Sequence, residues 1–76
     1  MKQLNCYVLE TKGKIVDRYS SFRVAYKAAR SMKFERVWPP NPTARDTRWD
    51  RGVEFYEKTA TGTRGVARIY WEGSER

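Results

Sequence analysis

The clearest periodicity in the chain lies between Phe22 and Lys33, and it sets the frame for everything around it. Phe22, Ala25, Ala28, Ala29 and Met32 fall at helical spacing and form one apolar face. Ser20 or Ser21 supplies an N-cap for this segment. The three alanines let a helix over 22–33 sit close against a sheet. Arg23, Lys27 and Arg30 recur at i, i+4 and i+7 on the opposite side.

The flanking segments read as the sheet. Residues 4–9 form a first strand, apolar on both faces, and Thr11-Lys12-Gly13-Lys14 is a turn in which Gly13 is free to take positive φ. Residues 15–19 return as a second strand. Glu35-Arg36-Val37-Trp38 is a short third strand stopped by Pro39-Pro40. Residues 39–52 are the longest irregular stretch, of a length that in a small domain points to function or mobility. Residues 53–58 and 66–71 alternate with period two around Gly62-Thr63-Arg64-Gly65, which reads as a hairpin turn. Trp38 and Trp71 are expected to pack in the core or on the sheet, and the residues after 71 to form a frayed tail. The expectation is one α+β domain over 1–76 in the order β-β-α-β-β-β. Its sheet is antiparallel or mixed, with one helix packed on a face.

Composition removes whole classes of chemistry. The 76 residues hold no histidine and one cysteine, Cys6, which excludes disulfide frameworks, zinc fingers and histidine-based acid–base catalysis. Cys6 reads as a small buried hydrophobe on a strand. Eleven aromatics argue against disorder. No apolar run approaches the ~18 residues that span a bilayer, and the first residues show no secretion signal, so a reducing cytoplasm is expected. No P-loop, dinucleotide fingerprint or nucleophile elbow is present. Gly62-Thr63-Arg64-Gly65 spells the GxxG of KH domains, but between strands rather than helices. Glu10-Thr11-Lys12 spells half of a nuclease metal site without the upstream aspartate it needs. Asp46, Asp50, Glu54 and Glu57 are candidate oxygen ligands for Mg²⁺, yet each stands beside a cation or alternates along a strand, as salt-bridge partners do. No catalytic residue, metal or cofactor is expected.

Charge is the positive signal. The net charge of +7 comes from 16 cations, ten of them Arg, against nine acids. Residues 1–33 carry +6, residues 34–52 carry +1 and the remainder is neutral. Two constellations could bind a partner. The first is the basic helix face of Arg23, Lys27 and Arg30, with Lys12, Lys14 and Arg18 nearby in sequence. No acid lies between residues 18 and 34, so the helix keeps like charges at i, i+4 that cost about 0.2–0.5 kcal/mol per pair. An external anion would offset that cost; a solvated face that keeps the chain soluble is the alternative. The second is the loop holding Arg45, Arg48, Trp49 and Arg51. Its residue types suit protein hot spots and equally the stacking and neutralisation of single-stranded nucleic acid. The alternative for Trp49 is a lid folded over a small core.

The hairpin, the serine-capped Ala25-Tyr26-Lys27-Ala28-Ala29-Arg30 helix and the strands that follow resemble small phage accessory proteins of the anti-CRISPR type. That resemblance implies a non-catalytic inhibitor that docks on a host complex handling nucleic acid, with Arg and aromatic residues on its contact face; on the residues here, Arg48, Trp49 and Arg51 would anchor it and Arg23, Lys27 and Arg30 would steer it. Arg36-Val37-Trp38-Pro39-Pro40 after a helix, with Arg51-Gly52-Val53-Glu54-Phe55 in a hairpin, is similar to phage excisionases. This likeness implies direct DNA binding with Arg23, Lys27 and Arg30 as groove contacts. Both readings expect a protein, ribonucleoprotein or nucleic-acid partner, and neither a membrane nor a small-molecule substrate.

Overall fold

A computed structural model describes residues 6–48 and 51–72. The elements run β1 (Cys6–Thr11), β2 (Lys14–Tyr19), α1 (Phe22–Arg30), β3 (Arg36–Trp38), a 3-10 helix (Ala44–Arg48), β4 (Val53–Thr59) and β5 (Gly62–Glu72). The domain is α+β in the order β-β-α-β-β-β, and its one sheet, ordered β2-β1-β5-β4-β3, is antiparallel throughout. No helix among the described residues is long and apolar enough to cross a membrane.

Alternation along the strands decides where the core sits. Leu9, Ile69 and Val53 stand opposite one another across β1, β5 and β4, and Phe55 stands opposite Ala67. All five are buried on the face covered by α1, together with Ala25 and Ala29 of the helix. Both alanines are fully buried, so the small side chains bring the helix backbone close to the sheet, as their spacing predicts. Tyr26 and Phe22 join this face. Met32 does not: the helix ends at Arg30, Lys33 turns to φ 59°, and Met32 is left exposed beyond the last turn.

Aromatic rings seal the interface as one chain. Trp71 meets Tyr7 at 4.9 Å between centroids, Tyr7 meets Phe22 at 6.0 Å, and Phe22 stacks on Tyr26 at 5.7 Å. Tyr26 then meets Phe55 at 6.1 Å, and Phe55 meets Phe34 at 5.3 Å. Edge-on and offset pairs at these separations add about 0.5–1.5 kcal/mol each beyond area burial. Trp71 therefore packs on the sheet as expected. Trp38 does not: Val37 points inward, parity turns Trp38 outward, and it is 54% exposed.

The turns show one agreement and one correction. Lys12 and Gly13 form the two-residue β1–β2 loop with φ of 49° and 82°, a pair of left-handed residues that suits strand twist. Gly62-Thr63-Arg64-Gly65 is strand rather than turn; the β4–β5 loop is Ala60-Thr61, with Thr59 opposite Gly62. Because Thr11 pairs with Ala67, the first residues of β5 run past the end of β1. They form a protruding two-stranded ribbon with β4, and the molecule is correspondingly long, 45 × 21 × 20 Å.

Candidate nucleic-acid interface

The irregular stretch is more ordered than its composition suggests. Ala44–Arg48 is helical because Thr43 and Asp46 cap one another: the Asp46 backbone N–H donates to the Thr43 carbonyl at 3.0 Å, and the Thr43 N–H donates to Asp46 Oδ2 at 2.8 Å. The Thr43 hydroxyl adds a second donor to the same oxygen at 3.3 Å. Thr47 is buried beneath, its hydroxyl on the Ala44 carbonyl at 2.6 Å. Arg48 projects from this helix with its guanidinium 4.8 Å from the Trp71 ring. Trp71 is edge-on to Tyr7, and Tyr7 to Phe22, so the 3-10 helix and α1 lie on the same side of the sheet and form one layer. A cleft of about 300 Å³ lined by Tyr7, Ala44, Arg45 and Arg48 lies along the 3-10 helix.

Two of the three arginine–carboxylate pairs among the described residues lie on one face of the sheet, the third, Arg64–Glu57, being in the β4–β5 ribbon. On the face away from α1, Arg68 Nε donates to Glu10 Oε1 at 2.8 Å, Arg18 Nε to Glu72 Oε1 at 2.8 Å, and the Tyr56 hydroxyl to Glu54 Oε1 at 2.8 Å. Arg68 also lies over the Tyr70 ring at 4.5 Å. On the helical side, Arg23, Lys27 and Arg45 have no ion-pair partner among the described residues, and Asp46 is occupied by its caps. Arg30 leans on Tyr26, donating to its hydroxyl at 3.4 Å with the guanidinium 5.6 Å from the ring. That contact holds the last cation of the row in place without neutralising it.

The sequence-derived residues therefore divide. Arg23, Lys27, Arg30, Arg45 and Arg48 share the helical layer. Arg18 does not join them: it alternates to the opposite sheet face and pairs with Glu72. Lys12 and Lys14 sit at the β1–β2 turn. There Lys12 lines a cavity of about 410 Å³ with Glu10, Glu54, Arg64 and Arg68, whose charges are largely matched. Arg51 is exposed just before β4. Trp49 and Asp50 lie outside the described residues. No group of three acids or cysteines among the described residues could hold a metal ion.

Sequence reasoning missed two features of this surface. Arg36 and Trp38 stand opposite Tyr56 and Glu54 on the uncovered face, at an edge strand. The phenol of Tyr56 is held above its ordinary pKa, first by donating to Glu54 and then by burial, while the nearby charges of Arg51 and Arg36 pull it down. A cleft of about 240 Å³ between α1 and β3, lined in part by Tyr26, Phe34 and Phe55, connects Arg30 to Arg36. Only the parity of a three-residue strand could have revealed this patch. Comparison with known proteins finds no matching family model, curated protein or solved structure.

Proposed function

We propose that this chain is a small non-enzymatic binding protein whose helical layer engages the phosphate backbone of nucleic acid in a reducing cytoplasm. The observation that carries the reading is the helical layer itself: Arg23, Lys27 and Arg45 have no ion-pair partner among the described residues, against the two acids on that side, Asp17 and Asp46, while Arg68 and Arg18 pair with Glu10 and Glu72 on the uncovered face. Arginine suits phosphate through its planar fork of donors.

The test is fluorescence anisotropy with labelled oligonucleotides at about 50 and 200 mM salt. Three phosphate contacts predict affinity that falls roughly 20- to 40-fold across that range, through counterion release. Affinity that is insensitive to salt, or no binding at the lower salt, sinks the reading.

A second reading, an inhibitor that occludes a host nucleic-acid-handling complex, draws on the Arg48–Trp71 platform. A guanidinium already fixed on a ring loses little entropy on docking, and Arg and Trp are favoured at hot spots. Under it, Arg48→Ala weakens capture of the complex and leaves oligonucleotide affinity nearly unchanged. Loss of both together argues for the first reading alone.

A further inference from the structure

We infer that Trp38, at the end of β3, is a stacking platform for an unpaired base, so that the preferred ligand is single-stranded nucleic acid. This deepens the phosphate-binding reading above and rests on it. Trp38 is the most exposed large hydrophobic side chain among the described residues, at 54%. It makes no ring or cation–π contact among them, unlike Trp71, which touches both Tyr7 and Arg48. What sets Trp38 apart from a lone surface hydrophobe is its company: it shares its face with Arg36 and stands beside Tyr56 on the neighbouring strand.

The surroundings fit a nucleotide strand. From the helix row, the exposed cations Lys33 and Arg36 lead past Glu35 and around the β3 edge to the uncovered face, where Arg36 lies two residues from Trp38. The cleft between α1 and β3 connects the two ends of that path. Arg36 faces Tyr56 directly across the ladder, which sets a second ring beside the cation. Glu54, opposite Trp38, accepts the Tyr56 hydroxyl, which fixes the second ring in place beside Arg36. Aromatic rings interleaved with unpaired cations are the arrangement that binds single strands: the rings stack bases of any sequence and the cations hold the phosphates. Base pairing in a duplex would keep the bases away from Trp38.

Three anisotropy probes of equal length, about 12 nucleotides and within the site size of small binding folds, test this. They are a single strand, its duplex, and an abasic strand that keeps every phosphate. The single strand is expected to bind about 5- to 160-fold tighter than the abasic strand, the range that stacking of one base on an aromatic ring supplies. Trp38→Ala removes that advantage and Trp38→Phe restores part of it. Because the side chain is exposed, both variants keep the thermal transition of the parent. A 2-aminopurine in the single strand is quenched on binding the parent and stays bright with Trp38→Ala. Equal affinity for all three probes overturns the stacking platform and leaves phosphate binding standing. Binding by none of them overturns both, and points the exposed Trp and Arg at a protein surface instead.

Discussion

At the scale of single residues, the tightest constraint falls at Gly52, where the chain enters β4. Its φ is +70°, and a Cβ there would lie 2.3 Å from the Ile69 carbonyl oxygen and 3.1 Å from Tyr70 Cβ. The obstacle is backbone in the central part of the sheet, so it cannot swing aside. Gly52→Ala is therefore expected to cost about 2–4 kcal/mol, combining the left-handed conformation with the clash. In a domain of this size that lowers the melting temperature by roughly 10–25 °C, readable by circular dichroism. Gly13→Ala meets open space and bears only the conformational cost, so it serves as the comparison. Tyr56 gives a prediction in pH. Its folded-state pKa lies above the ordinary 10.0 because its hydroxyl donates to the Glu54 carboxylate. The folded chain thus holds this proton more tightly than the unfolded chain does. The resulting stabilisation is fully present below about pH 10 and is lost as pH climbs through the higher folded value. Ultraviolet titration of the phenols should show one tyrosine lagging the others, and Glu54→Gln should bring it back towards them. A uniform titration in the parent contradicts the hydrogen bond.

At the scale of elements, α1 begins with less help than its sequence suggests. Ser21 occupies the N-cap position with extended φ and ψ, but its side chain makes no capping hydrogen bond, and the first turn holds no acid. Lys27 and Arg30 in the last turn do complement the helix dipole. Ser21→Asp adds a charge at the positive end and is expected to stabilise the domain by about 0.5–1 kcal/mol in urea unfolding. No gain would mean that the N-terminal N–H groups are already satisfied. The helix, the first hairpin and strand β4 were legible in the sequence because their signals are local: alanines at helical spacing, Lys-Gly between strands, and period-two alternation in residues 53–58. Three features were not. The β4–β5 ribbon was misread because its glycines lie within the strand, where Gly65 meets the Tyr56 ring at 3.6 Å and Gly62 takes φ 152°. The true loop, Ala60-Thr61, carries no turn residue at all. Trp38 reads as a core or sheet-packing residue because aromatics usually go there, and three residues are too few to fix strand parity. The 3-10 helix depends on the Thr43–Asp46 pair, whose signature was hidden among prolines and charges.

At the scale of the whole molecule, the charge pattern ties stability to function, and one variant separates them. The pairs that neutralise the uncovered face join Glu10 to Arg68 and Arg18 to Glu72, residues too far apart in sequence for any local rule to match. The row of cations was legible as a helix face; that Arg45 and Arg48 of the 3-10 helix join it in one layer required the fold. Lys27 sits in the middle of the row, four residues after Arg23 and three before Arg30. In the parent these are two like-charge contacts that destabilise the helix. Lys27→Glu turns both into opposite-charge contacts, each worth about 0.2–0.5 kcal/mol. The change moves an acid into the last turn, where the dipole opposes it by a similar amount. Thermal stability should therefore stay within about 1 kcal/mol of the parent, with added salt lessening the difference. Binding should behave otherwise. The variant removes one cation and sets an anion against the phosphate path, so oligonucleotide affinity should fall at least tenfold and its salt dependence should become shallower. Lys14→Glu makes the same change in net charge at the tip of the first hairpin, outside the helical layer. If both variants weaken binding equally, total charge governs association and the helix face has no special role; if only Lys27→Glu does so, the sorting of charge between the two sides of the sheet is the binding determinant.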